Sequence, residues 1–384
     1  MRWRGNISSL LPKLLLMALF LALTPNAVAW TRYVDGVNGN DNNDCKTPQT
    51  ACKTIGHAIS LPAETIRVAP ATYRENLTIS KSLNIIGADA ATTIVDGAGV
   101  GTVFTISNAN SGVLLSKLTI RNGYGQDYGI GGGILNSGTL TVNNSTITAN
   151  SAYASGGGIL NYGRLTINES TISGNSVGGW GGGISNYGRL TINKSTLSNN
   201  SAWRGGGVDQ DQSGLAITIN NSTISSNGAT IGAGVCNFSG TTTINNSTIS
   251  GNTASAEYSA IDSSYGGLLT LQNSVVANGL TNNCFTWNAQ IISNGYNLSS
   301  DNTCNFNGPE DMNNTDPKLG VLKNNGGPTQ TQSLLNGSPA IDAGNPSGCT
   351  DGNGNLLKTD QRGRPRPGPT GVRCDIGALE RQTQ

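Results

Sequence analysis

The sequence predicts an all-β solenoid, a parallel β-helix with coils of about 25 residues and three strands per coil. Three observations predict it. A glycine-rich block recurs at Gly131, Gly156, Gly181, Gly205 and Gly232, in steps of 25, 25, 24 and 27 residues. The copies align into columns of one residue type. Within each strand apolar and polar residues alternate with period two, which excludes a helix of period about 3.6.

The central strand of each coil carries two apolar columns. One reads Val142, Ile167, Ile192, Ile219, Ile244, Leu271; the other, two residues earlier, reads Leu140, Leu165, Leu190, Ile217, Thr242, Leu269. Residues two apart share a face, so these columns point inward. The residue between them is always threonine (Thr141, Thr166, Thr191, Thr218, Thr243, Thr270) and belongs on the solvent face. Next come Asn143, Asn168, Asn193, Asn220, Asn245 and Gln272, amides positioned for a ladder from coil to coil. A second strand supplies Ile147, Ile172, Leu197, Ile224, Ile249 and Val276. A third opens at the glycines with Ile134, Ile159, Ile184, Val208 and Val235. Each buried aliphatic side chain contributes about 1.5–3 kcal/mol only when the next coil covers it, so stability propagates along the stack. Roughly nine coils between Ile66 and Asn307, at about 4.8 Å each, make a rod about 40–45 Å long.

Four regions follow in chain order. Residues 1–29 read as a signal peptide: Arg2, Arg4 and Lys13 precede or flank the apolar run Leu14–Leu23, and Ala27-Val28-Ala29 is a small-x-small cleavage site. The run is too short to span a bilayer, which takes about 20 residues. No membrane span is expected after cleavage behind Ala29. Residues 30–65 read as an N-terminal cap, with Ile55, Ala58 and Ile59 at helical spacing. The β-helix occupies 66–308, its first coils irregular. From 309 to 384 the repeat stops, Pro, Gly and Arg increase, and the segment is expected to cover the lower end of the stack.

Composition narrows the function. The formal net charge is +1, and the first 29 residues hold three basic and no acidic side chains, so the rest carries −2. Such a surface excludes a polybasic nucleic-acid binder. Secretion permits disulfides, and proximity suggests Cys45–Cys52, Cys284–Cys304 and Cys349–Cys374, although spacing does not fix connectivity. The seventh cysteine, Cys236, takes a repeat position held elsewhere by Leu135, Leu160, Ser185 and Asp209. It reads as a small residue tolerated in the stack, since the sole histidine, His57, is far away in sequence.

The Gly-Gly-Gly-Ile-x-Asn, Leu-Thr-Ile-Asn and Ser-Thr-Ile-Ser blocks resemble the repeats of polymorphic outer-membrane-type proteins and other pectate-lyase-like right-handed β-helices. Tyr33-Val34-Asp35 through Cys52-Lys53-Thr54-Ile55, and Thr93 to Gly97, are similar to the N-terminal coils of that group. Asp316 to Glu380 resembles the choice-of-anchor Q region of bacterial surface proteins. The resemblance implies a right-handed coil, a bacterial source and a surface location. No sorting motif or apolar tail follows Glu380, so a released or non-covalently held protein is expected. In a bacterial protein the Asn-x-Ser/Thr triplets, such as Asn144-Ser145-Thr146, are structural.

Two functional readings stay open. The resemblance implies polysaccharide chemistry, and glycosidic hydrolysis needs two placed carboxylates. The candidates are Asp209 and Asp211 with Arg204 nearby, and also Asp127 and Asp262. Asp209 and Asp211 read either as solvated turn acids or as a catalytic pair on one strand face. The other reading is a non-catalytic, adhesin-like protein that binds a polysaccharide or a cell-surface component. Tyr162, Tyr187 and Phe238 share a repeat column beside Arg164 and Arg189, and Tyr153, Trp180 and Trp203 precede glycine blocks. Such rings either stack on one another or meet sugar faces. No cofactor is expected. Asp351, Asn353 and Asn355 alternate like the start of a Ca²⁺ loop, but Arg362 stands at the twelfth place where a Glu should close it. The Asp- and Asn-rich stretch 38–44 is the other weak Ca²⁺ candidate.

Overall fold

The structure, a computed structural model, describes residues 1, 30–126, 131–211, 215–255, 259–351, 353–368, 371 and 373–382. The expected signal peptide and Asp127 lie outside them.

Among the described residues the chain winds into parallel coils that stack into sheets of eleven, ten, nine and five strands. Register follows the sequence columns. Leu140–Leu165–Leu190–Ile217 and Val142–Ile167–Ile192–Ile219 pair across neighbouring strands of the eleven-stranded sheet. Their side chains are buried in one continuous core running from Val34 to Phe306. The intervening threonines lie half-exposed on the outer face.

The expected amide ladder is present: Asn168, Asn193, Asn220 and Asn245 each donate to the residue one coil earlier at 2.9–3.0 Å. Two further ladders are buried. Asn150, Asn175, Asn200 and Asn227 donate to the next coil at 2.9–3.0 Å. Asn136, Asn161 and Asn186 donate to Asn161, Asn186 and Gln210 of the next coil at 2.5–2.7 Å. Stacking identical amides satisfies polar groups that burial would otherwise penalise.

The fourth, five-stranded sheet was not foreseen. Its strands, such as Ser176–Val177 and Ser201–Arg204, are short and have no apolar alternation to reveal them.

The upper end is closed by the helix Ile55–Ser60, which buries Ile55 and Ala58. Thr54 caps it, accepting from the His57 amide, and the Glu75 carboxylate accepts from the amides of Ile55 and Gly56 at 2.9 and 2.7 Å. The strand before it, Thr31–Val34, already pairs in register with Thr65–Val68, so the eleven-stranded sheet begins inside the expected cap.

At the lower end Phe306 and the Cys284–Cys304 disulfide join the core. The C-terminal segment starts on the last coil, where Met312 pairs with Leu298 and its amide donates to the Asn297 carbonyl at 2.8 Å, and then leaves this end. It runs back along the outer face of the ten-stranded sheet, where Thr196, Thr223 and Asn246 hydrogen-bond to Gln330, Gln361 and Thr350. Leu334, Ala340 and Ile376 pack there on Val275 and Leu298. The expected end cover is thus limited to the start of the segment, and the remainder covers a flank. This remainder is held by buried ion pairs, Arg362–Asp360 at 2.7 Å and Arg366–Glu380 at 3.2 Å, and by the Cys349–Cys374 disulfide. The third disulfide is Cys45–Cys52.

Candidate functional site

The nine-stranded sheet carries the site. Its outward column runs Thr78, Thr105, Leu135, Leu160, Ser185, Asp209, Cys236, Asp262, Phe285. Outward residues should meet water, yet Leu160, Ser185, Asp209 and Cys236 are fully buried. The glycine blocks explain this. From Gly156 onward the first glycine of each block folds over the outward residue four positions later. A Cβ on Gly205 would lie 2.5 Å from the Cβ of Asp209, and one on Gly232 would lie 2.7 Å from that of Cys236. Gly181 and Gly205 also hold φ of +68° and +66°, which glycine adopts freely. The repeated glycines thus enclose a second row of side chains outside the core.

Arg204 closes this row. It ends the strand Ser201–Arg204 and turns its guanidinium onto Asp209, with Nε to Oδ1 at 2.7 Å and Nη2 to Oδ2 at 3.0 Å. Nη2 also lies 2.9 Å from Asp211 Oδ1. The guanidinium stacks 4.3 Å from the Phe238 ring centre and 5.5 Å from that of Trp180. The three candidate residues are therefore brought together, but as a lock. Both Asp209 oxygens are used and the side chain has no exposed surface, so Asp209 cannot touch a substrate in this conformation. Neither acid is a freely solvated turn residue.

Burial pushes the Asp209 carboxyl up to about 6, although Arg204 pulls the other way. Burial also works against the Arg204 charge, but Asp209 more than offsets this and holds its pKa above the ordinary guanidinium value. Next along the row, Cys236 is free and buried. Desolvation, with Asp209 and Asp262 beside it, holds its thiol well above the usual range, so no nucleophilic thiolate is available. Asp262 is raised by burial too. One of its oxygens accepts from Ser264, and the other is buried without a partner among the described residues.

The aromatic candidates form the outer rim. Equivalent backbone hydrogen bonds to the preceding coil place Tyr162, Tyr187, Asp211 and Phe238 in one column. Asp211 thus interrupts an otherwise aromatic line. Tyr162 and Tyr187 stack at 5.3 Å between centroids. Beyond the interruption Phe238, Tyr265 and Trp287 continue at 4.2 and 4.5 Å. Tyr265 and Trp287, which sequence reasoning missed, are about half exposed, at 51% and 53%, and Tyr162 is 47% exposed. Their irregular coils hid them from the column alignment. Burial pushes the Tyr187 hydroxyl up to about 12, with Asp211 adding to it. Arg164 and Arg189 lie exposed and in register two residues past the tyrosines.

The turn aromatics divide. Trp180 aligns with Ser155 and Arg204, so Trp203, exposed and one residue earlier, stands outside that column. Tyr153 is exposed as well.

The calcium-loop residues are engaged locally. Asp351 Oδ1 accepts from the amides of Asn353 and Asn355 at 2.8 and 2.9 Å, and Oδ2 accepts from the Asn355 side chain. In the stretch 38–44, Asp41 accepts from Lys53 and Thr54. Cys45, Cys52 and His57 cluster closely enough for a metal, but both sulfurs are in a disulfide.

The buried acids predict a pH dependence. Burial raises Asp209 to about 6 and Glu380 to about 7. An acid raised in the folded state stabilises the fold below its unfolded pKa, and that contribution is lost as pH rises through the folded value. Asp35 and Asp44 are lowered by backbone hydrogen bonds from Asn38 and Lys46, so their contribution is lost as pH falls. Melting temperature is expected to peak at about pH 4–5 and to decline toward about pH 7.5. Scanning calorimetry across this range checks it; a maximum at neutral pH contradicts it.

Parallel coils stacked around a continuous core, with an enclosed outer row, define an all-β parallel β-solenoid. No protein-family model matches the chain, and no curated protein matches it. Three solved chains do. One is the crystal structure of pectate lyase Pel9A, 15% identical, with a TM-score of 0.51, covering 91% of this chain and 96% of that one. At that identity the likeness concerns the fold. Three disulfides fit a compartment outside the reducing cytosol. Among the described residues no helix is long and apolar enough to cross a membrane.

Proposed function

We propose that this chain is a secreted, non-catalytic β-helix that holds a polysaccharide along its aromatic rim. The observation carrying this reading is the row Tyr162, Tyr187, Phe238, Tyr265 and Trp287, laid along the coil axis with Tyr162, Tyr265 and Trp287 exposed, Tyr187 and Phe238 half-buried between them, and Arg164 and Arg189 alongside. A polymer presents sugar faces at regular intervals, and a rigid ladder of rings meets them without ordering loops. The acids beside the rim are tied to Arg204, which supports binding over bond cleavage. The signal-like N-terminus and the disulfides support export to the outside or the cell surface, and the choice-of-anchor Q resemblance supports surface association.

Glycan arrays and cell-wall fractions test the proposal. Tyr162→Ala, Tyr187→Ala and Trp287→Ala are each expected to weaken the best ligand about 5–30-fold, as loss of an aromatic anchor worth about 1–2 kcal/mol does. Absence of glycan binding, or indifference to all three changes, overturns it.

The alternative reading is a polysaccharide lyase or hydrolase using Asp209, Asp211 and Arg204. The fold likeness to a pectate lyase favours it. It requires Arg204 to release Asp209. Incubation with pectins, alginates and other uronans, with and without Ca²⁺, decides between the readings: new reducing ends favour the enzyme, and none favours the binder.

A further inference from the structure

The ten-stranded sheet presents one threonine per coil on its outer face: Thr119, Thr146, Thr171, Thr196, Thr223 and Thr248. Four of the six are covered by peptide chain, and each of the four bonds to it. Thr119 Oγ1 donates to the Ala90 carbonyl and Thr196 Oγ1 to the Gln330 carbonyl, both at 2.6 Å. Thr223 Oγ1 donates to Gln361 Oε1 at 2.6 Å, and Thr248 Oγ1 accepts from the Ala378 amide at 3.1 Å. The adjoining corner column behaves alike. Asn221, Asn246 and Asn273 donate to the carbonyls of Thr359, Thr350 and Asp375, and Lys194 donates to the Thr359 hydroxyl.

Thr146 and Thr171 are the two left uncovered. Over them runs a groove of about 520 Å³, closed at one end by Asp89–Ala91 and at the other by Pro328 of the flanking segment. Its walls repeat the chemistry of the covered coils, with Asn144 and Glu169 at the corner positions and Lys117 beyond them. Two coils span about 10 Å, room for about three extended residues in direct contact.

We propose that this groove is a docking site for an extended, uncharged, Gln- and Thr-bearing peptide segment of a partner chain. The occupant is a peptide because the track continues, without a change of column, from an interface the molecule already makes with peptide. Hydroxyls of the threonine column meet backbone carbonyls on both sides of the gap. Pro328-Thr329-Gln330 of the flank shows the sequence type that fits, since Thr329 Oγ1 also donates to the Lys194 carbonyl. The inference stands apart from the polysaccharide reading, which concerns a different sheet.

A fluorescein-labelled peptide copying residues 326–333 tests it by polarisation against the full chain, titrated to millimolar protein. Saturable binding is expected, weakened at least fivefold in Thr146→Val/Thr171→Val. The pair Thr141→Val/Thr166→Val on the eleven-stranded sheet should leave it unchanged. Should the first double variant melt early, Thr171→Arg, which blocks the groove from a half-exposed site, serves in its place. Failure to saturate, equal affinity in the variant, or tighter Thr171-dependent binding of a neutral oligosaccharide than of the peptide each overturns the proposal.

Discussion

Ile192→Asp is expected to abolish the folded state at room temperature. Ile192 has no exposed surface and packs in register between Ile167 and Ile219. A carboxylate there finds no partner in an aliphatic row. Either it stays ionised at a large desolvation cost or it binds a proton and still loses the packing of the isoleucine. The penalty exceeds about 4 kcal/mol, comparable with the whole stability of many domains. The defect also spreads, because each coil is stable only through its neighbours. Loss of the β signal in circular dichroism checks this. Thr191→Asp, one residue away on the outer face, should change stability by less than about 0.5 kcal/mol. Equal melting of Ile192→Asp and the unmodified chain would mean that these rows do not form a core.

The second large effect belongs to Arg204. Arg204→Met is expected to destabilise by about 3–5 kcal/mol, because it strands the fully buried Asp209 carboxylate without its bidentate partner. The loss should be nearly undone in Arg204→Met/Asp209→Leu, since a buried ion pair replaced by apolar residues is commonly neutral or better. The row accommodates leucine already: Leu160 occupies the same column, fully buried, two coils earlier. Urea unfolding of both variants measures the difference. A double variant as unstable as the single one would show that Arg204 acts through the rings of Phe238 and Trp180 instead.

The two experiments bear on function in different ways. The first tests the scaffold that aligns the aromatic rim. The second tests whether Asp209 is held by a structural clamp. A clamp whose removal costs several kcal/mol is not a group poised to exchange Arg204 for a sugar at each turnover. Stability loss in Arg204→Met, together with unchanged glycan binding by the rescued double variant, would therefore favour the binding reading over the catalytic one.

The sequence by itself determined the winding: coil length, strand register, the aliphatic rows and the first amide ladder. These repeat at one period, and stacking requires like residues to fall over like, so local pattern and three-dimensional neighbour coincide. The same logic placed Tyr162, Tyr187 and Phe238 in one column, whereas Asp211 joins their line only through the backbone hydrogen bonds of the structure. Only the tertiary structure decided what covers the outside. Alternation marks Asp209 and Cys236 as outward, and they are buried because glycine turns fold over them and one arginine from the neighbouring strand closes the row. Tyr265 and Trp287 join the rim from coils whose spacing departs from the period. Most of the C-terminal segment lies along a flank rather than across an end, because its anchors to the coils are single hydrogen bonds to residues as much as 166 positions away, while its buried ion pairs lie within the segment itself. Contacts of that kind repeat at no interval, and a chain read for its rhythm carries no trace of them.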